Sequence, residues 1–356
     1  MHDISSVEPA LPPYPLTGTN VWVSSELTKN KVAWRHPLTS VEIADLEHAA
    51  TRFLSQHQDV GDMTKERFLL GPFASHLAAL KQKLLHGIGV EVITGLDLQN
   101  YSQEMIAAIF CGIGSHLGRA RSQNAQGHIL GHVRDTGAQS TDTKTRIYQT
   151  AERQTFHTDS ADIVGLLCLR EAREGGDSLL VSAATIYNKM HALRPDLVRL
   201  LFEPIATDRR GEIPSGEKPF MTIPPLNWFK EKLTVFYQRQ YIDSAQRFPE
   251  AMRLTNKHIE ALDLFDQLAD DPSLHLRMRL RQGDMQFVYN HSQLHDRTGF
   301  VDWPEPHRKR HLYRLWLSPE GDRPLPPYFK QRYGSIEIGN RGGILIDQVQ
   351  LSAPLI

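Results

Sequence analysis

The strongest constraint on the fold comes from two short segments that lie far apart in the chain and carry matching metal-ligand side chains. His157 and Asp159 follow a strand-like run over 150–156, and His295 lies in a second polar segment, Asn290–Arg297. Side chains alternate between the two faces of a strand, so His157 and Asp159 point the same way and can grip one cation. A third ligand has to come from elsewhere, and His295 can supply it. The chain is therefore expected to bring two remote strands side by side.

Two imidazoles and one carboxylate bind one face of a metal and leave its other face open, which is the arrangement associated with non-haem Fe(II) oxygenases. A His-x-Asp triplet alone carries little weight, because the 17 histidines of this chain make chance pairs frequent. His291 offers a competing interpretation, since with His295 it has the His-x-x-x-His spacing that binds zinc on a helix. Ser292 stands where the general-base Glu of such a motif would follow. We therefore assign His291 a supporting or packing role.

Two arginines on one predicted strand strengthen the case for an enzyme site. Arg310 and Arg314 belong to the strand-like run 310–317, and their even spacing places both guanidinium groups on the same face. An Arg fork matches a carboxylate bidentately and stays charged when it is desolvated. These side chains are therefore suited to hold a dicarboxylate cosubstrate or an acidic substrate inside an apolar barrel.

Residues next to these motifs have simpler interpretations. Ser178 can add a hydroxyl donor, and the preceding glycines, Gly175–Gly176, predict a tight turn because no helix with the glycine spacing of a nucleotide loop follows them. Arg297 is expected to order its loop through a local ion pair with Asp296 or Asp302. It is not counted among the candidate site residues.

The composition is that of an ordinary globular protein. The chain has 356 residues, 40% of them hydrophobic, and its 40 basic and 41 acidic side chains leave a formal net charge of -1. No global field therefore draws it to nucleic acid or to an anionic membrane. Residues 1–15 lack the pattern of a secretory signal, and no run approaches the roughly 20 apolar residues that cross a bilayer, so we expect a cytoplasmic protein. Cys111 and Cys168 are predicted to be buried free thiols.

The pattern along the chain predicts one catalytic domain. Residues 1–37, rich in proline, are predicted to form an extended N-terminal arm, and residues 38–356 the catalytic domain. Within it we distinguish a helical N-terminal part over about 38–120, a core over about 87–317 and a C-terminal extension over 318–356. The helices are predicted over 39–56, 75–86, 103–117, 182–202 and 256–269.

From about residue 128 the sequence pattern is typical of a β-rich core. Short runs of alternating or β-branched residues are separated by turn residues, and helices decorate the strands rather than alternate with them. The fold class is therefore mainly β with surrounding helices. The predicted strands cover 90–93, 147–156, 162–170, 177–182, 274–280, 285–290 and 310–317.

Taken together, these motifs resemble those of the TauD/TfdA family of Fe(II)- and 2-oxoglutarate-dependent dioxygenases, which includes taurine dioxygenase and clavaminate-synthase-like enzymes. The resemblance covers about two thirds of the chain, from about Gly87 to Leu317. It implies a double-stranded β-helix, a jelly-roll core with helices packed outside. The matching pieces, in order, are Phe156–Asp159, Gly175–Ser178, Asn290–Arg297 and Arg310–Arg314.

The resemblance also implies roles for the candidate residues. Fe(II) would be held by His157, Asp159 and His295, with 2-oxoglutarate and O2 as cosubstrates. Arg310 would pair with the distal carboxylate of 2-oxoglutarate, assisted by Ser178, where family members commonly have threonine. Arg314 would lie closer to the primary substrate and bind an acidic group on it, and the two arginines could exchange roles.

The implied reaction is the oxidation of an unactivated C–H bond of a small molecule, with release of succinate and CO2. Halogenating relatives lack the carboxylate ligand, so Asp159 favours hydroxylation, desaturation or oxidative cyclisation. An amino acid or another small carboxylate or sulfonate is the expected substrate class, and a specialised-metabolite scaffold is the next. Two alternatives stay open: a barrel that binds a metal or a ligand without turnover, and a metal-dependent hydrolase that binds zinc.

Overall fold

A computed structural model of the protein describes residues 11–56, 59–138, 146–214, 216–344 and 350–355. The helices are α1 (Ser24–Lys29), α2 (Ser40–Gln56), α3 (Phe73–His86), α4 (Gln103–Leu117), α5 (Ala183–Leu193), α6 (Pro195–Leu200), α7 (Arg239–Ala245), α8 (Asn256–Ala269) and α9 (Lys330–Tyr333). The strands are β1 (Arg35–Pro37), β2 (Val90–Thr94), β3 (Arg119–Ala120), β4 (Leu130–Val133), β5 (Gln154–His157), β6 (Ile163–Arg170), β7 (Glu174–Gly175), β8 (Ser178–Ser182), β9 (Ile205–Asp208), β10 (Phe220–Ile223), β11 (Leu226–Phe229), β12 (Lys232–Val235), β13 (Leu276–Met278), β14 (Met285–Tyr289), β15 (Gln293–Arg297), β16 (Phe300–Val301) and β17 (His311–Ser318).

Two sheets form the centre of the molecule. The larger has seven strands in the order β1-β2-β14-β6-β17-β3, with β4 also paired to β17, and the smaller has four in the order β13-β8-β15-β5. Consecutive strands repeatedly change sheet, and one apolar cluster joins residues of β2, β6 and β14 to residues of β8 and β13. The sheets therefore pack face to face. This alternation of antiparallel strands is that of a double-stranded β-helix, so the predicted fold class is confirmed.

Helices cover the outer faces of both sheets, which leaves the inner faces for a site. Side chains of α2, α3 and α4 form one apolar cluster with β2, β14 and β17. Those of α5, α6 and α8 form another with β8 and β15. Among the described helices, none combines the length and the apolarity needed to span a bilayer. Cys111 and Cys168 are buried and free, as predicted.

Several predicted elements have different bounds in the structure. The strand predicted over 147–156 is a 3-10 turn at Ile147–Gln149 followed by β5. The single helix predicted over 182–202 is two helices, because Pro195 cannot continue α5 and instead begins α6 at its first position. The segment over 205–235, for which no strand was predicted, contains the hairpins β9-β10 and β11-β12.

The N-terminal segment is more structured than an extended arm. Its described part contains α1 and β1, and β1 pairs in parallel with β2 at the edge of the larger sheet. Trp22 and Trp34 are each 3% exposed and belong to the apolar cluster between the two sheets. The indole of Trp34 donates to the carbonyl of Leu27 at 2.8 Å. This segment therefore closes one end of the core.

A buried ionic network fastens the C-terminal extension to the turn that precedes β6. Asp162 accepts hydrogen bonds from His291 Nε2 at 2.6 Å, from Arg341 Nε at 2.8 Å and from Ser318 Oγ at 2.8 Å. Arg341 is 0% exposed and also donates to Asp322 at 2.8 Å. Its guanidinium pairs with both carboxylates and offsets one of their two negative charges inside the core. His291 has the supporting position predicted for it.

Two neutral histidines link β17, β4 and the C-terminal segment. Arg170 Nη2 lies 3.2 Å from His311 Nδ1, His311 Nε2 lies 2.8 Å from His132 Nδ1, and His132 Nε2 lies 2.9 Å from the carbonyl of Pro354. Arginine can only donate and a carbonyl can only accept, so each histidine carries one proton, on Nε2. Protonation would place two donors against each other. Burial and the neighbouring His132 lower the pKa of His311 to about 3.

The buried pair of His132 and His311 predicts that the folded protein loses stability at acid pH. Below about pH 6.5 the unfolded chain protonates His311 while the folded chain does not, so the free energy of unfolding falls by about 1.4 kcal/mol per pH unit because of this residue. Burial also lowers the pKa of His132, which acts in the same direction. That stability is fully present above about pH 6.5. His311→Gln keeps one donor and one acceptor but does not titrate. We expect it to remove the contribution of His311 to the pH dependence of the free energy of unfolding. Urea unfolding near pH 7 and pH 5.5 measures it, with exposed His307→Gln as the control. If the free energy of unfolding fell as steeply with pH in His311→Gln as in the wild type, His311 would not be the neutral histidine responsible.

Candidate active site

The three predicted metal ligands lie together between the two sheets. His157 ends β5 and is paired in register with His295 of β15, and Asp159 follows in the turn toward β6. The two imidazole centroids are 4.2 Å apart. Asp159 Oδ1 is 3.8 Å from His157 Nε2, and its Oδ2 is 3.8 Å from His295 Nε2. Strand pairing thus brings together residues that are remote in sequence.

The first histidine is oriented by its own strand. His157 Nδ1 lies 2.8 Å from the carbonyl of Thr155, to which it donates, so the lone pair is on Nε2. The side-chain amide of Gln154 donates to Nε2 at 2.8 Å. A backbone carbonyl that fixes the tautomer in this way is typical of histidines that bind metals. Gln154 would have to turn aside when a metal binds.

Of the three candidate ligands, Asp159 is held in place by the most hydrogen bonds. Its backbone N–H donates to Asn290 Oδ1 at 2.9 Å, and Asn290 donates back to its carbonyl at 2.8 Å. Its Oδ2 accepts from Trp316 Nε1 at 2.8 Å and lies 3.3 Å from Arg314 Nη1. Burial alone would raise the pKa of this carboxyl, but Arg314, His295 and His157 hold it well below its usual range. Asp159 is therefore a carboxylate at any working pH.

Both histidines are ready to act as ligands. Burial, together with the neighbouring His157, lowers the pKa of His295 to about 3, and burial also lowers the pKa of His157. Neutral imidazoles are the form that binds metal. The ligand atoms lie within 4.8 Å of one another, and a divalent ion about 2.0–2.2 Å from each ligand atom fits between pairs 3.8 Å apart. The donor set and its spacing fit an iron centre.

One cavity contains all six predicted site residues. It runs between the two sheets from the metal-ligand cluster to the start of β17, and its wall is partly apolar. Its lining consists of Val133, Tyr148, Gln154, His157, Asp159, Val164, Leu166, Ser178, Leu280, His295, Asp296, Arg297, Arg310, Leu312 and Arg314.

The two predicted arginines stand at different depths along this cavity. Arg314 lies beside the metal-ligand cluster, where its Nε donates to Gln123 Oε1 at 2.7 Å and its guanidinium stacks on the rings of Tyr148 and Trp316 at 4.6 and 4.7 Å. Arg310 is 6% exposed, and its guanidinium carbon lies 5.1 Å from the ring of Phe300.

The loop before β8 shapes the surroundings of Arg310. A side chain at Gly176 would bring its Cβ to 2.9 Å from Arg310 Nε, and Gly175 and Gly176 have φ of +69° and +75°. Only glycine adopts this turn without strain while letting the arginine approach. Ser178 follows the turn, lines the cavity and donates to Gln286 at 3.0 Å.

Two residues of the cavity region were missed by the sequence analysis. Trp316 supports Asp159, and Arg297 lines the cavity instead of forming the ion pair predicted for it. Asp296 is paired with Arg153, at 2.7 Å, and Asp302 accepts the backbone N–H of Arg310 at 2.7 Å. The alternation of strands carried the signal, because Trp316 shares the face of Arg314 and Arg297 shares the face of His295.

Comparison with known proteins agrees with this geometry. The profile of the "Taurine catabolism dioxygenase TauD, TfdA family" matches residues 57–316. "FR-33289 synthase" of Streptomyces rubellomurinus is 31% identical over 321 residues, which cover 88% of this chain and 93% of that protein. The "Taurine hydroxylase-like protein SAT17" of Stachybotrys chartarum is 30% identical over 302 residues, which cover 80% of this chain and 77% of that protein.

Solved structures show the same fold. The crystal structure of asparagine oxygenase in complex with Fe(II), 2S,3S-3-hydroxyasparagine and succinate superposes with a TM-score of 0.62 at 17% identity, covering 80% of this chain and 93% of the other. The family match spans most of the chain, including both segments that supply the metal-ligand cluster. The protein is an enzyme that uses Fe(II), 2-oxoglutarate and O2, and it belongs to the TauD/TfdA family of dioxygenases.

Proposed function

We propose that this enzyme oxidises an unactivated C–H bond of a small anionic substrate, by hydroxylation, desaturation or oxidative cyclisation, and that it releases succinate and CO2. The observation that carries the proposal is the cluster of His157, Asp159 and His295, whose ligand atoms lie within 4.8 Å of one another inside a cavity that also holds buried arginines. Iron chelated by 2-oxoglutarate supplies the activation of dioxygen in this chemistry.

The residues of the chain divide the remaining work. His157, Asp159 and His295 hold the metal, with Asp159 aligned by Trp316 and by its backbone pairing to Asn290. Arg310 binds the distal carboxylate of 2-oxoglutarate, assisted by the hydroxyl of Ser178, which lines the same cavity. The partly apolar wall excludes water around these charges, which strengthens their interactions.

Arg314 supports an acidic substrate. It is 5% exposed and lies next to the metal-ligand cluster, held by Gln123 and by two aromatic rings. Its pairing with Asp159 has only one contact, at 3.3 Å, so the guanidinium keeps donors for a second anion. One relative is described as taurine-hydroxylase-like, and asparagine oxygenase was solved with a hydroxylated amino acid. We therefore propose an amino acid or another small carboxylate or sulfonate as the substrate class.

An anaerobic titration tests the proposal. Metal-free protein receives Fe(II) and then 2-oxoglutarate, while the weak visible charge-transfer absorption of the chelated keto acid is followed. We expect the band in the wild type and its loss in His295→Ala. Succinate release in air is then screened with small acids and amino acids. A wild type that gives no band but binds zinc tightly would overturn the proposal in favour of a hydrolase or a non-catalytic barrel.

A further inference from the structure

A pair of buried cations lies in the cavity, and the proposed function uses only one of them. Arg297 and Arg310 are 8% and 6% exposed, and both line the cavity that contains the metal-ligand cluster. They come from β15 and from the start of β17, in different sheets. Both lie against the ring of Phe300, whose centroid is 4.7 Å from the guanidinium carbon of Arg297 and 5.1 Å from that of Arg310.

Neither guanidinium has an acidic side chain within ion-pair distance in the part of the chain that the structure describes. Asp296, the sequence neighbour of Arg297, is held by Arg153 at 2.7 and 2.9 Å. Asp302 is the acid near Arg310, but it accepts the backbone N–H of that residue, at 2.7 Å. Neither cation therefore has a direct ion-pair partner among the described residues.

Several guanidinium N–H groups have no hydrogen-bond partner among the described residues. They are Nε and Nη1 of Arg297 and Nη1 of Arg310, all buried. Arg297 uses only Nη2, which donates to the carbonyls of Glu152 at 2.5 Å and Ile147 at 3.5 Å. A buried donor without an acceptor costs about 1–3 kcal/mol, and more when it is charged.

The strand register adds a hydroxyl to this pair. Arg297 is the direct cross-strand partner of Ser178, whose side chain lines the same cavity. The close approach of Arg310 depends on the absence of a side chain at Gly176. Two cations with free N–H groups thus border one space, next to a Ser178 hydroxyl that donates to Gln286, and no described carboxylate is ion-paired with either cation. This is the donor set of a carboxylate site.

We propose that Arg297 is a second anion-binding residue of the cosubstrate site, and that Arg297 and Arg310 together hold the distal carboxylate of 2-oxoglutarate. The inference rests on the proposed function of the cavity. It differs from a purely structural role for Arg297, in which its bonds to the Glu152 and Ile147 carbonyls would be its whole contribution.

The test is binding, measured anaerobically on the Fe(II)-loaded full-length protein. Dissociation constants are determined from the charge-transfer absorption for 2-oxoglutarate and for 2-oxopentanoate, which has the same chain length but no distal carboxylate. In Arg297→Met we expect the constant for 2-oxoglutarate to rise roughly tenfold to a hundredfold, as for loss of hydrogen bonds to a charged group. Binding of 2-oxopentanoate should stay within about twofold, because it makes no bond at this position.

Matched variants separate the explanations. Arg297→Lys keeps the charge and should retain part of the preference for 2-oxoglutarate, and Arg308→Met, an exposed arginine two residues before Arg310, should change neither constant. In the double variant Arg297→Met/Arg310→Met, the losses should not add, because both side chains bind one carboxylate. Calorimetric titration of the metal-free variants with succinate gives a second readout that does not depend on iron.

The outcomes are distinguishable. If wild-type protein binds 2-oxoglutarate and Arg297→Met binds it equally well, the inference is overturned while the proposed function stands. If both keto acids weaken equally in Arg297→Met and in Arg297→Lys, Arg297 has only the structural role, and the inference is again overturned. If the wild type forms no keto acid complex, the proposed function itself fails.

Discussion

We expect Asp159→Ala to abolish Fe(II)-dependent turnover while the protein stays folded. The carboxylate is one of three metal ligands, and it also neutralises Arg314, which lies 3.3 Å away. Its removal leaves two imidazoles beside an uncompensated guanidinium. At an effective dielectric constant of about 20, unit charges about 4 Å apart interact by roughly 4 kcal/mol, so this cation now repels the metal. The loss should exceed the roughly 10- to 100-fold typical of replacing a residue that only supports a ligand.

Fe(II) affinity by anaerobic titration and succinate formation in air measure the effect, and thermal unfolding checks the fold. Arg314 keeps its bond to Gln123 and its two aromatic neighbours, so the unfolding transition should persist. Asp270→Ala, which removes a 57% exposed carboxylate side chain, is the matched control. Wild-type-like activity in Asp159→Ala or in His157→Ala would remove the proposed metal centre.

Trp316→Phe provides a graded version of the same experiment. It keeps the ring that stacks on Arg314 but removes the N–H that donates to Asp159 at 2.8 Å. The three ligands stay in place, so we expect Fe(II) affinity to fall by about 10- to 100-fold rather than to vanish. Unchanged affinity would mean that the indole only packs against the site.

The second large effect is expected for Arg310→Ala, which should chiefly raise the requirement for 2-oxoglutarate. Removing one partner of a buried charged pair costs on the order of 3–5 kcal/mol, which is about a hundredfold or more in affinity. Arg310 is 6% exposed, so water cannot easily replace it. Fe(II) affinity should not change, because Arg310 contacts none of the three metal-ligand side chains in the described structure.

The measurement is the concentration of 2-oxoglutarate that gives half-maximal succinate formation, with Arg308→Ala as the control. Arg308 lies two residues earlier, pairs with Glu305 and stacks on Trp303, so its loss should leave the cosubstrate requirement unchanged. A normal requirement in Arg310→Ala would mean that the distal carboxylate is held elsewhere. Arg314 would then be the first candidate.

Local patterns in the sequence predicted the elements that depend on local interactions. Helices α4 and α8 have the predicted bounds, and Ser102 and Thr255 cap their first turns through bonds to backbone N–H groups three residues on. Alternation along strands placed His157 with Asp159, and Arg310 with Arg314, in one cavity. These inferences need only the period of a strand or the spacing of a cap.

The features that the sequence did not predict depend on contacts between remote residues. Arg297 has an acidic neighbour in sequence, but Arg153, which is 143 residues from Asp296, takes that carboxylate instead. No pattern near residue 296 in the sequence indicated that Arg153 rather than Arg297 would pair with Asp296. Arg297 was therefore predicted to form a salt bridge. The role of the C-terminal extension was equally unreadable, because the partners of Arg341 lie 19 and 179 residues away in sequence.

The buried position of Arg341 has a consequence for recognising an intact copy of this gene. The metal-ligand residues and the two arginines of the motif all precede Arg341. A reading frame that stops early in the C-terminal extension would therefore still encode the complete motif. Such a product would leave Asp162, three residues after a metal-ligand candidate, without its guanidinium partner inside the core. Recognising an intact copy of this gene therefore requires this distant arginine as well as the motif.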